Sequence, residues 1–257
     1  YTLSLHDALP ILKHEFIYNG MISGDYGLTV SGEDTWKRPQ PDITRISVPG
    51  RNGDLIQLGN RYQNVDIKYR CGIVRNLRKN FEAFNAALLS DIGYHRLEDT
   101  YHPEYYRMGV FESALDPDVK ERAVHGEVDI TFNCKPQLFL KSGEIETGYN
   151  ASDSIYNPTP YTSFPLVRFS VTGPNTVGSI RIGENYITFA GVGEGNTENT
   201  VIDCETQDIY GMDNKDNRNS AFALRTGSLF ELAPGRNEIV CSGITGKLYI
   251  TPRWWTV

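Results

Sequence analysis

The sequence predicts a mainly β protein of two domains, and three observations carry that reading. Apolar side chains recur at every second position in many short runs, the spacing that lines one face of a strand. A single segment, around Phe81 and Phe84, spaces its apolar residues like a helix instead. Between residues 143 and 160 the periodicity gives way to Gly, Asn, Ser and Pro, a composition that reads as a connector. At 257 residues the chain exceeds a domain of about 150 residues, so two cores are affordable.

Taken in order, residues 1–11 have no starting Met, no basic leading region and no apolar stretch of the kind a secretory signal needs. The string Ser4-Leu5-His6-Asp7-Ala8-Leu9-Pro10-Ile11 looks like translated sequencing-adapter read-through, so 1–11 is set aside as a non-native leader and the N-terminal domain is assigned to 12–142. Within it, Ile46 and Val48 suggest a strand. Val65, Ile67 and Tyr69 alternate with Asp66, Lys68 and Arg70, and Val128, Ile130, Phe132 and Cys134 alternate with Asp129, Thr131 and Asn133. Both read as half-buried strands with the apolar face inward. Tyr106, Met108 and Val110 give a weaker example. Leu77, Phe81, Phe84 and Leu88, at steps of four, three and four, predict one amphipathic helix, capped by Asn76, stopped by Gly93, and packed on a sheet.

Past the 143–160 linker, the domain assigned to 161–257 holds short alternating runs: Val167, Phe169 and Val171; Ile180 and Ile182; Ile187 and Phe189; Leu248 and Ile250. Gly or Asn turns separate them at intervals of roughly 8 to 12 residues, which predicts a sandwich or jelly roll.

Charge and chemistry narrow the function classes. Lys and Arg number 25 against 32 Asp and Glu, a net charge of −7 divided as −3 over residues 1–140 and −4 over 141–257. Neither half has the basic footprint that nucleic acid or an anionic membrane requires. No run reaches the ~18 apolar residues of a membrane span. Cys71, Cys134, Cys204 and Cys241 form no C-x-x-C pair; three of them end apolar runs and read as buried free thiols, which favours a reducing compartment. His95 and His102, seven apart, match no metal-ligand spacing. Gly191-Val192-Gly193-Glu194-Gly195 lacks the spacing and following helix of a phosphate loop. Asp213 to Asn219 puts Lys215 where a calcium loop needs an oxygen. No nucleophile motif is present. The expectation is a protein that is not an enzyme and uses no metal or cofactor.

Two stretches stand out. Pro49, Gly50, Arg51, Asn52, Gly53 and Asp54 follow a strand and contain two turn dipeptides, so the chain must reverse there with Arg51 at the bend. Near the C-terminus, Pro252-Arg253-Trp254-Trp255 follows a strand. One Trp ring can plug a core, or Trp254, Trp255 and Tyr210 can form an aromatic platform for sugar.

These stretches, in this order, resemble the distal tail proteins of siphophages infecting Gram-positive bacteria, in the short form without inserted carbohydrate-binding modules. The resemblance runs from about Glu15 to Val257. It includes Phe16-Ile17-Tyr18-Asn19-Gly20, Asp25-Tyr26-Gly27-Leu28, Val48 to Asp54, Asn157-Pro158-Thr159, Ile202 to Tyr210, Pro234-Gly235-Arg236-Asn237 and the closing Pro252 to Trp255. It implies an N-terminal β domain that forms a hexameric ring at the virion tail tip and a galectin-like C-terminal β-sandwich facing outward. The implied partners are further copies of the chain, the tail tube protein, the tail-associated fibre or lysin protein and receptor-binding proteins at the side. On this reading Pro49 to Asp54 is the candidate contact loop. The alternative is a carbohydrate-binding module that attaches the virion to the host cell wall. No family sugar motif is found in the sequence to place such a site.

Overall fold

A computed structural model describes residues 14–73, 77–113, 118–119, 126–171, 173, 176–191, 200–212 and 216–257. The leader expected over 1–11, the Asn76 cap and most of the Gly191–Gly195 turn lie outside them. The structure is mainly β and divides into two compact units, 1–138 with Val257 and 139–256.

The first unit contains β1 (Phe16–Tyr18), β2 (Met21–Ile22), β3 (Leu28–Ser31), β4 (Pro41–Ile46), β5 (Leu55–Tyr62), β6 (Val65–Ile73), helix α1 (Leu77–Leu89), β7 (His95–Asp99), β8 (Tyr105–Phe111), β9 (Asp118–Val119) and most of β10 (Gly126–Leu140). Its main sheet has the order β2-β1-β7-β8-β10-β6-β3, with β9 also on β10. The opening hairpin turns on Asn19 (φ 48°) and Gly20 (φ 78°), the left-handed pair that a two-residue turn demands. Long β10 pairs with β6 over nine residues, Gly126 to Cys134 against Ile73 to Val65. That register sets Val128, Ile130, Phe132 and Cys134 beside Cys71, Tyr69, Ile67 and Val65, all buried, as the alternation predicts.

Phe84 and Leu88 of α1 enter the same core, where Phe84 meets Phe16 edge-on at 6.2 Å between ring centroids and Tyr26 at 5.6 Å. The helix ends at Leu89, short of Gly93, because Ser90 takes the Ala87 carbonyl through both its N–H and its hydroxyl. β8 reverses the expected facing. Its inward residues are Arg107, Gly109 and Phe111 rather than Tyr106, Met108 and Val110. Gly109 leaves room for Cys134 Sγ, which a Cβ there would meet at 3.1 Å. Arg107 is 5 % exposed, and its burial holds the guanidinium below its usual pKa.

The second unit adds β11 (Thr147–Tyr149), β12 (Ser152–Asn157), β13 (Leu166–Ser170), β14 (Val177–Ile182), β15 (Asn185–Ala190), β16 (Thr200–Asp203), β17 (Asp208–Gly211), β18 (Phe222–Leu224), β19 (Gly235–Ser242), β20 (Thr245–Thr251) and β21 (Trp255–Thr256). Two five-stranded sheets, β11-β20-β13-β16-β17 and β12-β19-β14-β15-β18, enclose one core. Val167, Phe169, Ile202, Leu248 and Ile250 face Ile155, Ile180, Ile182, Ile187, Phe189 and Ile239 across it, the arrangement of a β-sandwich. The stretch 143–160, expected as a linker, instead carries β11 and β12 as strands of the two sheets. Its polar, Gly-containing composition suits edge strands, which need only one buried face.

The four cysteines are free and buried. Burial pushes the thiols of Cys71, Cys134 and Cys204 up to about 12, so they act as small hydrophobes.

Candidate functional site

One element of the first unit has no core to bury against. β4 and β5 form a separate two-stranded ribbon, paired Ile43 with Leu58, Arg45 with Ile56 and Ile46 with Leu55. A lone ribbon can stabilise itself only weakly in water. Because alternate residues share a face, Ile43, Ile56 and Leu58 lie together on one side; Ile56 and Leu58 are each 63 % exposed. An exposed apolar face of this kind makes the ribbon a candidate interaction surface. Trp36, 61 % exposed, lies in the segment leading into β4 and sets its ring against His102 at 4.5 Å.

The base of the ribbon is fastened by polar contacts. Arg61 Nε donates to Asp42 Oδ2 at 2.6 Å and Gln63 Nε2 to Asp42 Oδ1 at 3.3 Å, and these bonds hold the Asp42 carboxyl below its ordinary range. Gly59 lies close by, and a Cβ there would come 2.8 Å from Asp42 Oδ2, so a larger residue would displace that carboxylate. At the tip, Pro49, Gly50, Arg51, Asn52, Gly53 and Asp54 are all exposed. Arg51 N–H donates to the Val48 carbonyl at 3.2 Å, and Gly50 and Gly53 take φ of 79° and 81°. The candidate loop is thus the tip of the exposed ribbon. Reading the loop alone missed the apolar face; its sequence signal was Ile43 together with Leu55-Ile56-Gln57-Leu58, an apolar-rich pair of runs with no helix or facing sheet assigned to cover them.

The aromatic candidates of the second unit do not present a common exposed face. Trp254 is 6 % exposed and belongs to the sandwich core. Trp255 stacks on Tyr161 at 4.5 Å and donates Nε1–H to the Thr162 carbonyl at 2.9 Å. Tyr210 is half-buried on β17 opposite Val201. Burial of Trp254 follows from Arg253, which adopts φ 56° and forks onto Asp203, Nη1 to Oδ1 at 2.7 Å and Nη2 to Oδ2 at 3.1 Å. The Arg253 turn thereby directs the next residue inward.

Other motif residues are also structural. Asn237 accepts from Ala233 N–H and donates to the Ala233 and Gly235 carbonyls, locking the Pro234-Gly235 turn. Within the Asp213–Asn219 stretch, whose residues 213–215 lie outside the described set, Arg218 is buried and bound to Asp216 and Thr200 Oγ1, while Asn219 accepts from Ile209 N–H. His102 Nδ1 lies 3.0 Å from Asp99 Oδ1, and Tyr69 donates to Asp99 Oδ2 at 2.8 Å. Among the described residues, no group of three His, Cys, Asp or Glu side chains is arranged to hold a metal ion, and no helix is long and apolar enough to cross a membrane.

No family model matches the chain, and no curated protein matches it in sequence. Solved structures do. The chain is similar to the Dit protein of phage SPP1, described as a paradigm of the hub adsorption apparatus in phages infecting Gram-positive bacteria, with a TM-score of 0.74 and 15 % identity over 95 % of this chain and 99 % of that one. It is also similar to a chain of the phage P2 baseplate in its activated conformation with Ca, with a TM-score of 0.51 and 10 % identity over 92 % and 96 %. At these identities the likeness is one of fold, and it extends along nearly the whole of both chains.

Proposed function

We propose that this chain is a structural subunit of a siphophage tail tip, where six copies close into a ring through their first units and the second units face outward. The observation that carries the reading is the fold likeness to the SPP1 hub protein along nearly the whole of both chains. The exposed ribbon β4–β5 supports it, because a closed ring of identical copies uses head-to-tail contacts in which one surface meets a different surface of the neighbour. The Ile43, Ile56 and Leu58 face, with Arg51 at its tip, is such a surface in search of a complement. On this reading the tail tube protein docks on one side of the ring and the tail-associated fibre or lysin protein on the other, with receptor-binding proteins at the periphery.

Negative-stain imaging and mass measurement at high protein concentration test the proposal, with six-fold rings expected. Ile56→Asp with Leu58→Asp should abolish the rings while leaving the thermal unfolding of the monomer unchanged, since both side chains are largely solvated before assembly. Arg51→Glu should weaken them. Rings that survive all three changes would remove the ribbon from the interface. A wild-type chain that stays monomeric, both alone and with tail tube protein, would overturn the hub reading.

A further inference from the structure

A groove of about 570 Å³ lies in the second unit, on the outer face of the sheet β12-β19-β14-β15-β18. Its shape follows from register. Ser242 of β19 pairs with Ser179 of β14, Ser179 with Thr188 of β15, and Thr188 with Ala223 of β18. Directly paired residues share a face, so four short side chains form one row across four strands, a trough about 14 Å long at ~4.8 Å per strand spacing. The neighbouring row is taller: Val240, Arg181 and Tyr186 pair in line two residues along the strands.

The trough is polar, lined and rigid. Ser179 and Ser242 hydroxyls lie 3.0 Å apart and share one hydrogen bond, which leaves further donor and acceptor capacity facing out. Arg225 Nε donates to Thr188 Oγ1 at 3.1 Å, and its backbone N–H to the Tyr186 carbonyl at 2.9 Å; Arg225 and Tyr186 both line the groove. Among the described residues no carboxylate pairs with Arg225, and none lines the groove. Tyr186, 37 % exposed, offers a ring at the edge. Beneath, Phe189 packs with Phe169 and Phe222 at 5.2 and 5.7 Å, and Gly178 is obligatory because a Cβ would strike the Phe189 ring and the Ser242 carbonyl. A floor so packed is preformed before any ligand arrives.

We infer that this groove binds a linear glycan or polyol chain bearing an acidic group. The hydroxyl row matches a chain of hydroxyls, the Tyr186 ring matches the apolar face of a sugar, and the Arg225 guanidinium, which pairs with no carboxylate among the described residues, takes the acid. In a protein of net charge −7 a polyanion gains nothing from the overall field, so its affinity must come from this local constellation. The site is separate from the Trp254, Trp255 and Tyr210 group and from the ribbon of the first unit through which the ring is proposed to close.

Isothermal titration of the full chain with poly(glycerol phosphate), with oligogalacturonate and with neutral dextran tests the inference. Binding of the phosphate polymer or the carboxylate polymer is expected, and which one binds identifies the source of the acid; dextran should bind at least tenfold more weakly. Arg225→Gln should weaken binding tenfold or more with unchanged thermal unfolding, and Ser179→Leu, which fills the trough, should abolish it. If Ser179→Leu does not fold, Arg225→Gln and Tyr186→Ala carry the decision. No binding to either acidic polymer, equal binding of dextran, or binding untouched by Arg225→Gln would overturn the assignment, whatever the outcome of the ring experiment.

Discussion

Asn157 has its whole side-chain amide committed: Nδ2 donates to the Tyr161 and Leu232 carbonyls, and Oδ1 accepts from the Thr159 N–H and hydroxyl. At 1 % exposure no water can replace these bonds, so Asn157→Ala should cost about 3 kcal/mol in a urea unfolding experiment, the penalty of several buried groups left unpaired. Asp99 gives a pH signature. Burial raises its pKa, but hydrogen bonds from His102 and Tyr69 outweigh burial and bring it below the ordinary value. A carboxylate depressed in the folded state contributes stability that is present above its unfolded pKa of about 3.9 and is lost as pH falls through the folded value. Unfolding free energy measured from pH 7 to pH 2 should therefore fall less steeply below pH 4 in Asp99→Asn than in the parent. Asp203 is depressed in the same direction: burial opposes the shift, and the bidentate bond from Arg253 outweighs it. Arg253→Ala should cost roughly 1–3 kcal/mol, because the pair is partly screened by solvent but one carboxylate is left behind.

At the scale of elements, helix α1 and the ribbon β4–β5 differ in where their apolar faces go. Phe84 is fully buried against Phe16 and Tyr26, so Phe84→Ala should destabilise the first unit by about 3–5 kcal/mol through lost burial and the cavity left. The ribbon's face is exposed in the single chain, so under the proposed ring its substitutions are expected to read out in assembly and not in folding. The alternation in β6 and β10 named their buried residues correctly because each strand has one polar and one apolar face. It misjudged β8 because both of that strand's faces carry bulky groups and Gly109 is inward for steric room, which hydropathy does not register.

For the molecule as a whole, two independent cores imply two folding units. Calorimetry should resolve two components, and Phe84→Ala should lower one while leaving the other in place. A single transition displaced as a whole by that substitution would show the units to be energetically coupled. The division matters for the proposed function, because the ribbon resides in the first unit and the groove in the second, so the proposal assigns assembly and ligand binding to units that can be perturbed separately.

By itself the sequence determined which residues are inward on most strands, the single helix and the Asn-Gly turn, because these depend on periodicity and backbone conformation within a few residues. The fate of the 143–160 stretch, the inward Arg107, the core position of Trp254, the bare face of β4–β5 and the hydroxyl row of Ser242, Ser179 and Thr188 were decided only by tertiary structure. Each depends on which distant strand lies alongside and in what register, and local hydropathy carries no record of that pairing.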